Sequence, residues 1–223
     1  MREVVLDTET TGLDPRSGHR IVEIGCVELI NHMATGKHFH KYLNPERDIP
    51  EQASVIHGLT EEFLSSQPVF ADIAEEFEAF ISDSTLVIHN AEFDLGFINA
   101  EREKISQPPI APDRAIDTVS LARRKFPGAQ ANLDALCRRF KIDNSNRSLH
   151  GALKDARLLA EVYLELIGGR QQKLGLSAEE RKIVEAAEKN HRSPRPHAPT
   201  DAEKLAHAQF IEKLESPIWK REN

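Results

Sequence analysis

Along the first third of the chain, apolar and polar positions fall into short runs with a period near two. The segment from about residue 2 to 8 (REVVLDT) is a compact apolar run, and RIVEIGCVEL at 20 to 29 and GKHFHKYL at 36 to 43 follow it. Runs of this length and period predict strands, and the turn-rich DPRSG from Asp14 and INH from Ile30 separate them, so an antiparallel meander is expected. A helical period then takes over. Ser66 and Pro68 open the stretch VFADIAEEFEAFI at 69 to 81, where Phe70, Ile73, Phe77 and Phe80 share one face. TLVIH at 85 to 89 reads as a buried strand, running into a helix from Asn90, its cap, to about Lys104. Beyond the loop QPPIAP at 107 to 112 come a short strand over Ala115 to Asp117, helices near 118 to 126 and 132 to 140, and a long helix from about 151 to 167. Strands and helices interleaved in this way predict an α/β layer fold with a mixed sheet flanked by helices.

The pattern changes at Gly168 and Gly169, which end the last long helix. Residues 169 to 199 are mostly polar and contain the run RSPRPHAP from Arg192, a linker composition, together with a capping-box helix candidate opened by Ser177 and Glu180. Thr200 with Glu203 forms a second capping box, and Leu205, Ala208, Ile211 and Leu214 then lie on or near one stripe, followed by Trp219, the only tryptophan. The expected organisation is therefore a compact domain over 1 to 168, a linker over 169 to 199 and a helical tail over 200 to 223.

The first strand ends unusually. In VVLDTETTGLD, Asp7 and Glu9 are two residues apart, so a strand places both carboxylates on one face and turns Thr8 away. At an effective dielectric of about 20 and a separation of about 5 Å, their repulsion is roughly 3 kcal/mol. Either the pair lies past the strand end in water, where this cost nearly vanishes, or something cationic offsets it. Two other segments could contribute to such a site. In HNAEFD at 89 to 94, Asp94 borders the apolar flank of its helix, beside Phe97 and Ile98; in HGALKD at 150 to 155, Asp155 neighbours Ala152, Leu158 and Leu159. His150 is five residues before Asp155, about 140° round an ideal helix, so the two can converge only if His150 sits in the preceding loop. Each acid has an ordinary alternative, as a helix-start or dipole residue, and each histidine as a capping or solvent residue. Taken together, four carboxylates carry four negative charges, which two divalent cations would cancel. All-oxygen ligation suits Mg²⁺ or Mn²⁺ rather than zinc, and two such ions support in-line attack on phosphorus.

Bulk composition narrows the partners. The 223 residues carry a formal net charge of -7, with 36 acidic residues against 29 basic. A protein that gripped nucleic acid mainly through phosphates would be basic, so any nucleic-acid contact here should be local or assisted by another protein. Cys26 and Cys137 fall in apolar patterns and read as reduced core residues. No segment has the apolar length of a signal peptide or membrane span, so a cytoplasmic location is expected.

Three motifs in order, DTE from Asp7, NAEFD from Asn90 and HGALKD from His150, make the chain resemble the DEDD exonucleases of the histidine subtype, with a ribonuclease H-like fold. The resemblance covers about 1 to 168 and is greatest to the epsilon proofreading subunits of bacterial DNA polymerase III, supported by LDTETTG from Leu6, NLDALC from Asn132 and LHGAL from Leu149. It implies that Asp7, Glu9 and Asp155 bind the ion holding the attacking water, that Asp7 also contacts a second ion reached by Asp94 through water, and that His150 is the general base. It implies further that Thr10, Gly12 and Leu13 lie along the terminal nucleotide and that His57 contacts the departing one. Gln52 is assigned to the same site, although an acidic residue is familiar there in close relatives. From the residues alone His57 reads equally as a turn before a helix capped by Thr60, and His89 as a core residue. Arg147, Lys154 and Arg157 would flank the cleft.

The partners implied are a single-stranded or frayed DNA 3′ end, the alpha catalytic subunit of polymerase III docked on Leu205, Ile211, Leu214 and Trp219, a sliding clamp and a small theta-like subunit. QQKLGL at 171 to 176, through Gln171, Leu174 and Leu176, resembles a clamp-binding peptide. Two other readings stand beside this one: a stand-alone 3′ exonuclease for DNA or RNA, which would not need the tail, and a non-catalytic module bracing a polymerase, which would not need the four acids.

Overall fold

The computed structural model describes residues 1–145, 149–169, 198–215 and 217. The chain divides into two units, Met1–Lys173 and Leu174–Asn223. The first is built on a sheet in the order β3-β2-β1-β4-β5, with β1 at Arg2–Thr10, β2 at Ile21–Ile30, β3 at Met33–Tyr42, β4 at Thr85–Ile88 and β5 at Ala115–Asp117. The first three strands form the expected antiparallel meander, and β4 and β5 join parallel to β1. Asn31 and His32 both have left-handed backbones, matching the twist that a two-residue hairpin loop requires.

Helices α1 (Glu51–His57), α2 (Glu61–Ser65), α3 (Phe70–Ile81), α4 (Ala91–Lys104), α5 (Thr118–Lys125), α6 (Leu133–Phe140) and α7 (Ala152–Ile167) complete this unit. The periodic segments fall where the pattern put them, and the Thr60 hydroxyl caps α2 as expected. Two expectations need correction. His57 closes a helix rather than lying in a turn, a helix the pattern does not mark: α1 is short, its N-cap is Pro50 without a side-chain cap, and Val55 and Ile56 are exposed, so it carries no apolar stripe. Asn90 stands at the start of α4 but its side chain makes no cap; its backbone is left-handed, and its N–H donates instead to Asp117 Oδ1 at 2.9 Å.

Strand alternation separates two cores. Val4 and Leu6 of β1 pack with Phe70, Phe77 and Ile98 of α3 and α4. Val5 faces the other way, toward Leu136, Ala156 and Leu159 of α6 and α7. Even-numbered positions of β1 therefore look to α3 and α4, and odd-numbered ones to α7. Glu3, fully buried on the α7 face, receives the Tyr163 hydroxyl at 2.7 Å and lies 2.8 Å from His32 Nδ1, so a strand that buries a carboxylate keeps it paired. Cys26 and Cys137 are buried thiols not joined in a disulfide, as expected.

The second unit contains α8, Asp201–Glu212, with the expected reciprocal capping box between Thr200 and Glu203. Leu205 and Leu214 are exposed and Ile211 is buried. Trp219, Gln171, Leu174 and Leu176, the helix candidate after Ser177 and residues 192 to 197 of the proline-rich run lie outside the described residues, as does Arg147.

Candidate active site

β1 outlasts its parallel neighbour, and the site grows from that inequality. The ladder with β4 ends at Leu6 and Ile88, while β1 continues to Thr10 paired only with β2. Asp7 and Glu9 thus lie inside a strand, on one face, which removes the reading in which both sit past its end in water. Beyond the last β4 pair, the Thr8 N–H is taken by Asp94 Oδ1 at 3.0 Å, and the Thr8 hydroxyl donates to the same oxygen at 2.7 Å. Helix α4 begins immediately after β4, so its first turn delivers Asp94 to β1 from the even-numbered face. The Asp94 carboxyl is pushed up to about 7 because burial disfavours its charge more than the two Thr8 donors favour it.

From the opposite face comes Asp155, in the first turn of α7. Gly25, the register partner of Asp7, allows this: a Cβ on Gly25 would run into the backbone of Ala152 and Leu153. Helix α7 can therefore start directly against β2. His150 precedes the helix in a loop and turns back, its Nδ1 3.3 Å from Asp155 Oδ2. One ligand atom from each of Glu9, His150 and Asp155 can be chosen so that all lie within 4.8 Å of one another.

Glu9, Asp94 and Asp155 are all buried, whereas the His150 side chain is about half exposed. Buried carboxylates stay charged at low cost only when hydrogen-bonded, paired or coordinated to a cation, and otherwise take up a proton. The oxygen-rich donor set fits a hard divalent ion, with His150 at its solvent edge.

A cavity of about 620 Å³ opens beside Glu9, large enough for a nucleotide, and its lining includes all five expected substrate positions, Thr10, Gly12, Leu13, Gln52 and His57. The Thr10 hydroxyl donates to the Gly12 carbonyl at 2.6 Å, bending the chain after β1. Leu13 is 85% exposed at the cavity mouth. His57, buried, accepts the Leu59 N–H at Nδ1 over 3.0 Å, so the ring proton is on Nε2, for which the described residues supply no partner. Burial lowers the His57 pKa, and the negative charge of Glu23 opposes that shift. Phe93, directly before Asp94, lines the cavity as well.

Lys154 and Arg157 line a neighbouring depression of about 480 Å³ that also includes His150. His89 is half-buried, 2.8 Å from the Thr118 hydroxyl. Sequence patterns missed Gly25, whose close approach only tertiary packing reveals, and Glu23, a buried carboxylate bonded to His40 at 2.7 Å opposite Glu9 in the β1–β2 register. An acid in an otherwise apolar strand, as in RIVEIGCV, was the available signal for Glu23.

Comparison with known proteins places this geometry. A family model described as an exonuclease matches residues 4–163. The DNA polymerase III subunit epsilon of Rickettsia prowazekii (strain Madrid E) is 51% identical over 222 residues, covering 96% of this chain and 97% of that protein. That of Escherichia coli (strain K12) is 47% identical over 176 residues, 76% of this chain and 72% of that protein. Among solved structures, exonuclease X in complex with 5′ overhanging duplex DNA superposes with a TM-score of 0.60 at 28% identity, over 79% of this chain and 95% of that one. The nuclease domain of 3′hExo, a DEDDh family member bound to rAMP, shares the fold with a TM-score of 0.65 at 18% identity, over 74% and 91% of the respective chains.

Proposed function

Since the chain belongs to the exonuclease family, we propose that it is a 3′-to-5′ exodeoxyribonuclease that proofreads for a replicative DNA polymerase, and that Asp7, Glu9, Asp94, Asp155 and His150 carry the reaction. The observation that carries this reading is the convergence at the end of β1: Asp94 is bonded to Thr8 from one face, and Asp155 with His150 clusters at Glu9 from the other. Asp7, Glu9, Asp94 and Asp155 would hold two divalent cations, magnesium or manganese, whose chemistry when bound is to activate water and neutralise charge on the phosphate.

The remaining steps belong to the chain. The terminal nucleotide enters the cavity between the turn after β1 and α1, with Thr10, Gly12 and Leu13 on one side and Gln52 and His57 on the other. The buried His57 Nε2–H is a donor suited to an acceptor on that nucleotide. His150, its ring oriented by Asp155, takes the proton of the attacking water. An O–P bond forms, the P–O3′ bond breaks in line, the shortened strand keeps the 3′ oxygen, which takes a proton from solvent to become a hydroxyl, and a nucleoside 5′-monophosphate leaves. Mispaired ends fray at lower cost, so selection needs no reading of the base.

The acidic balance of the chain fits an enzyme whose substrate is presented by a polymerase. Residues 1 to 168 form the hydrolytic domain in this reading, and the tail from 200 docks on the alpha subunit through Leu205, Ile211, Leu214 and Trp219. Leu205 and Leu214 are exposed while Ile211 is buried, and exposed apolar side chains with a lone tryptophan are the usual material of such anchors. Gln171, Leu174 and Leu176 would engage a sliding clamp, a theta-like subunit completes the assembly, and the site of action is the bacterial cytoplasm. No described helix is long and apolar enough to cross a membrane. The test is hydrolysis of 5′-labelled single-stranded DNA in Mg²⁺ by the full chain. Stepwise shortening from the 3′ end with release of nucleoside 5′-monophosphates is expected; internal cleavage, or equal activity with chelator present, would overturn the assignment.

A further inference from the structure

Two elements far apart in sequence meet beside the general base. The His150 N–H donates to the Ile56 carbonyl of α1 at 3.1 Å. Leu149, immediately before it, packs over Gly58, immediately after α1: a Cβ on Gly58 would come within 2.7 Å of Leu149 Cδ1. Gly58 has φ +74°, the left-handed conformation that ends α1 and turns its bare Cα toward the Leu149 side chain. Across the loop stands the carboxylate of Glu23, bonded to His40 and 3.9 Å from where a Cβ on Gly151 would lie. The segment Leu149 to Gly151 is therefore held by α1 on one side and faces the Glu23 carboxylate of β2 on the other.

The same helix α1 carries Gln52 and His57 into the nucleotide cavity. Resting on the proposed function above, we propose that Leu149 is a positioning residue: with the Ile56 carbonyl and Gly58 it clamps the His150 loop to α1, so that the wall holding the terminal nucleotide and the base acting on its phosphate are placed as one unit. The backbone bond sets the height of the loop. The Leu149 contact keeps it from sliding along α1, and His150 follows because it is the next residue. Occupying the cavity then steadies the base through α1, without contact between base and nucleobase.

Leu149 is itself about half exposed, so truncating it opens no core cavity. The full chain, Leu149→Ala and Leu149→Met are compared for single-stranded DNA hydrolysis in Mg²⁺, for melting temperature, and for hydrogen exchange of the His150 amide without substrate. The clamp predicts that Leu149→Ala lowers kcat about tenfold with KM within about twofold, since misplacing a base costs rate rather than binding. Melting temperature should stay constant, the His150 amide should exchange faster, and Leu149→Met should restore both kcat and exchange. Wild-type kcat in Leu149→Ala, or a lowered kcat with unchanged His150 exchange, would overturn it. A wild-type chain that fails to hydrolyse DNA would contradict the nuclease reading, while the exchange comparison would still decide the clamp.

Discussion

Asp94 shows how one side chain can serve fold and site together. Its Oδ1 satisfies both the N–H and the hydroxyl of Thr8, and an amide oxygen can accept the same two bonds. Asp94→Asn should therefore fold with a metal-free melting temperature equal to or above that of the parent, because it removes a buried charge that its surroundings disfavour. It should also lose at least about a hundredfold in kcat and most of the stabilisation that Mg²⁺ or Mn²⁺ gives the parent, which at a hundred times Kd is about 2.7 kcal/mol. Thermal melts with and without metal check both halves. Gly25 makes the opposite case. Since a Cβ there meets helix backbone and not a flexible side chain, Gly25→Ala should cost about 1–3 kcal/mol and displace Asp155. Denaturant unfolding and kcat would both register it.

At the scale of elements, Asp117 couples three pieces of structure. It ends β5, caps α5 through the Val119 and Ser120 N–H groups, and receives the Asn90 N–H at the start of α4. Burial alone would raise its pKa, but the hydrogen bonds from Ser120, Asn90 and Val119 outweigh that and hold it below the usual carboxylate range. A depressed carboxyl contributes stability that is complete above its unfolded value near pH 4 and is lost as pH falls through the folded value. Asp117→Asn should thus cost about 1 kcal/mol at pH 7, and the difference from the parent should shrink as unfolding is measured below about pH 4. Equal stability at both pH values would contradict this role. Legibility in the sequence also divides at this scale. The meander, α3 and α7 were readable because one face of each is buried and the period shows it. Helix α1 was not, because its job is to wall a cavity and its apolar side chains face outward. Asn90 looked like a cap because residue type suggests a side-chain bond, but a left-handed backbone turned that side chain away. Asp7, Glu9, Asp94, Asp155 and His150 could be singled out by spacing and neighbours, yet α4 reaches Thr8 because β1 outruns β4, and α7 reaches β2 because Gly25 has no side chain, which no local pattern encodes.

For the whole molecule, the proposed division of labour between a hydrolytic domain and a docking tail predicts a separable outcome. Truncation after residue 190 should leave single-stranded DNA hydrolysis within about twofold of the full chain, because every residue proposed for catalysis or for the cleft precedes residue 158, and should abolish co-purification with the polymerase alpha subunit. Undiminished co-purification would remove the tail from that role. The central claim is that carboxylates from three distant segments form one pocket for paired cations, and it is tested most directly by anomalous diffraction from crystals grown with Mn²⁺. Two peaks at the end of β1 are predicted, one bounded by Asp7, Glu9 and Asp155 and the second between Asp7 and Asp94; absence of density there, or manganese held only elsewhere on the surface, would contradict the account.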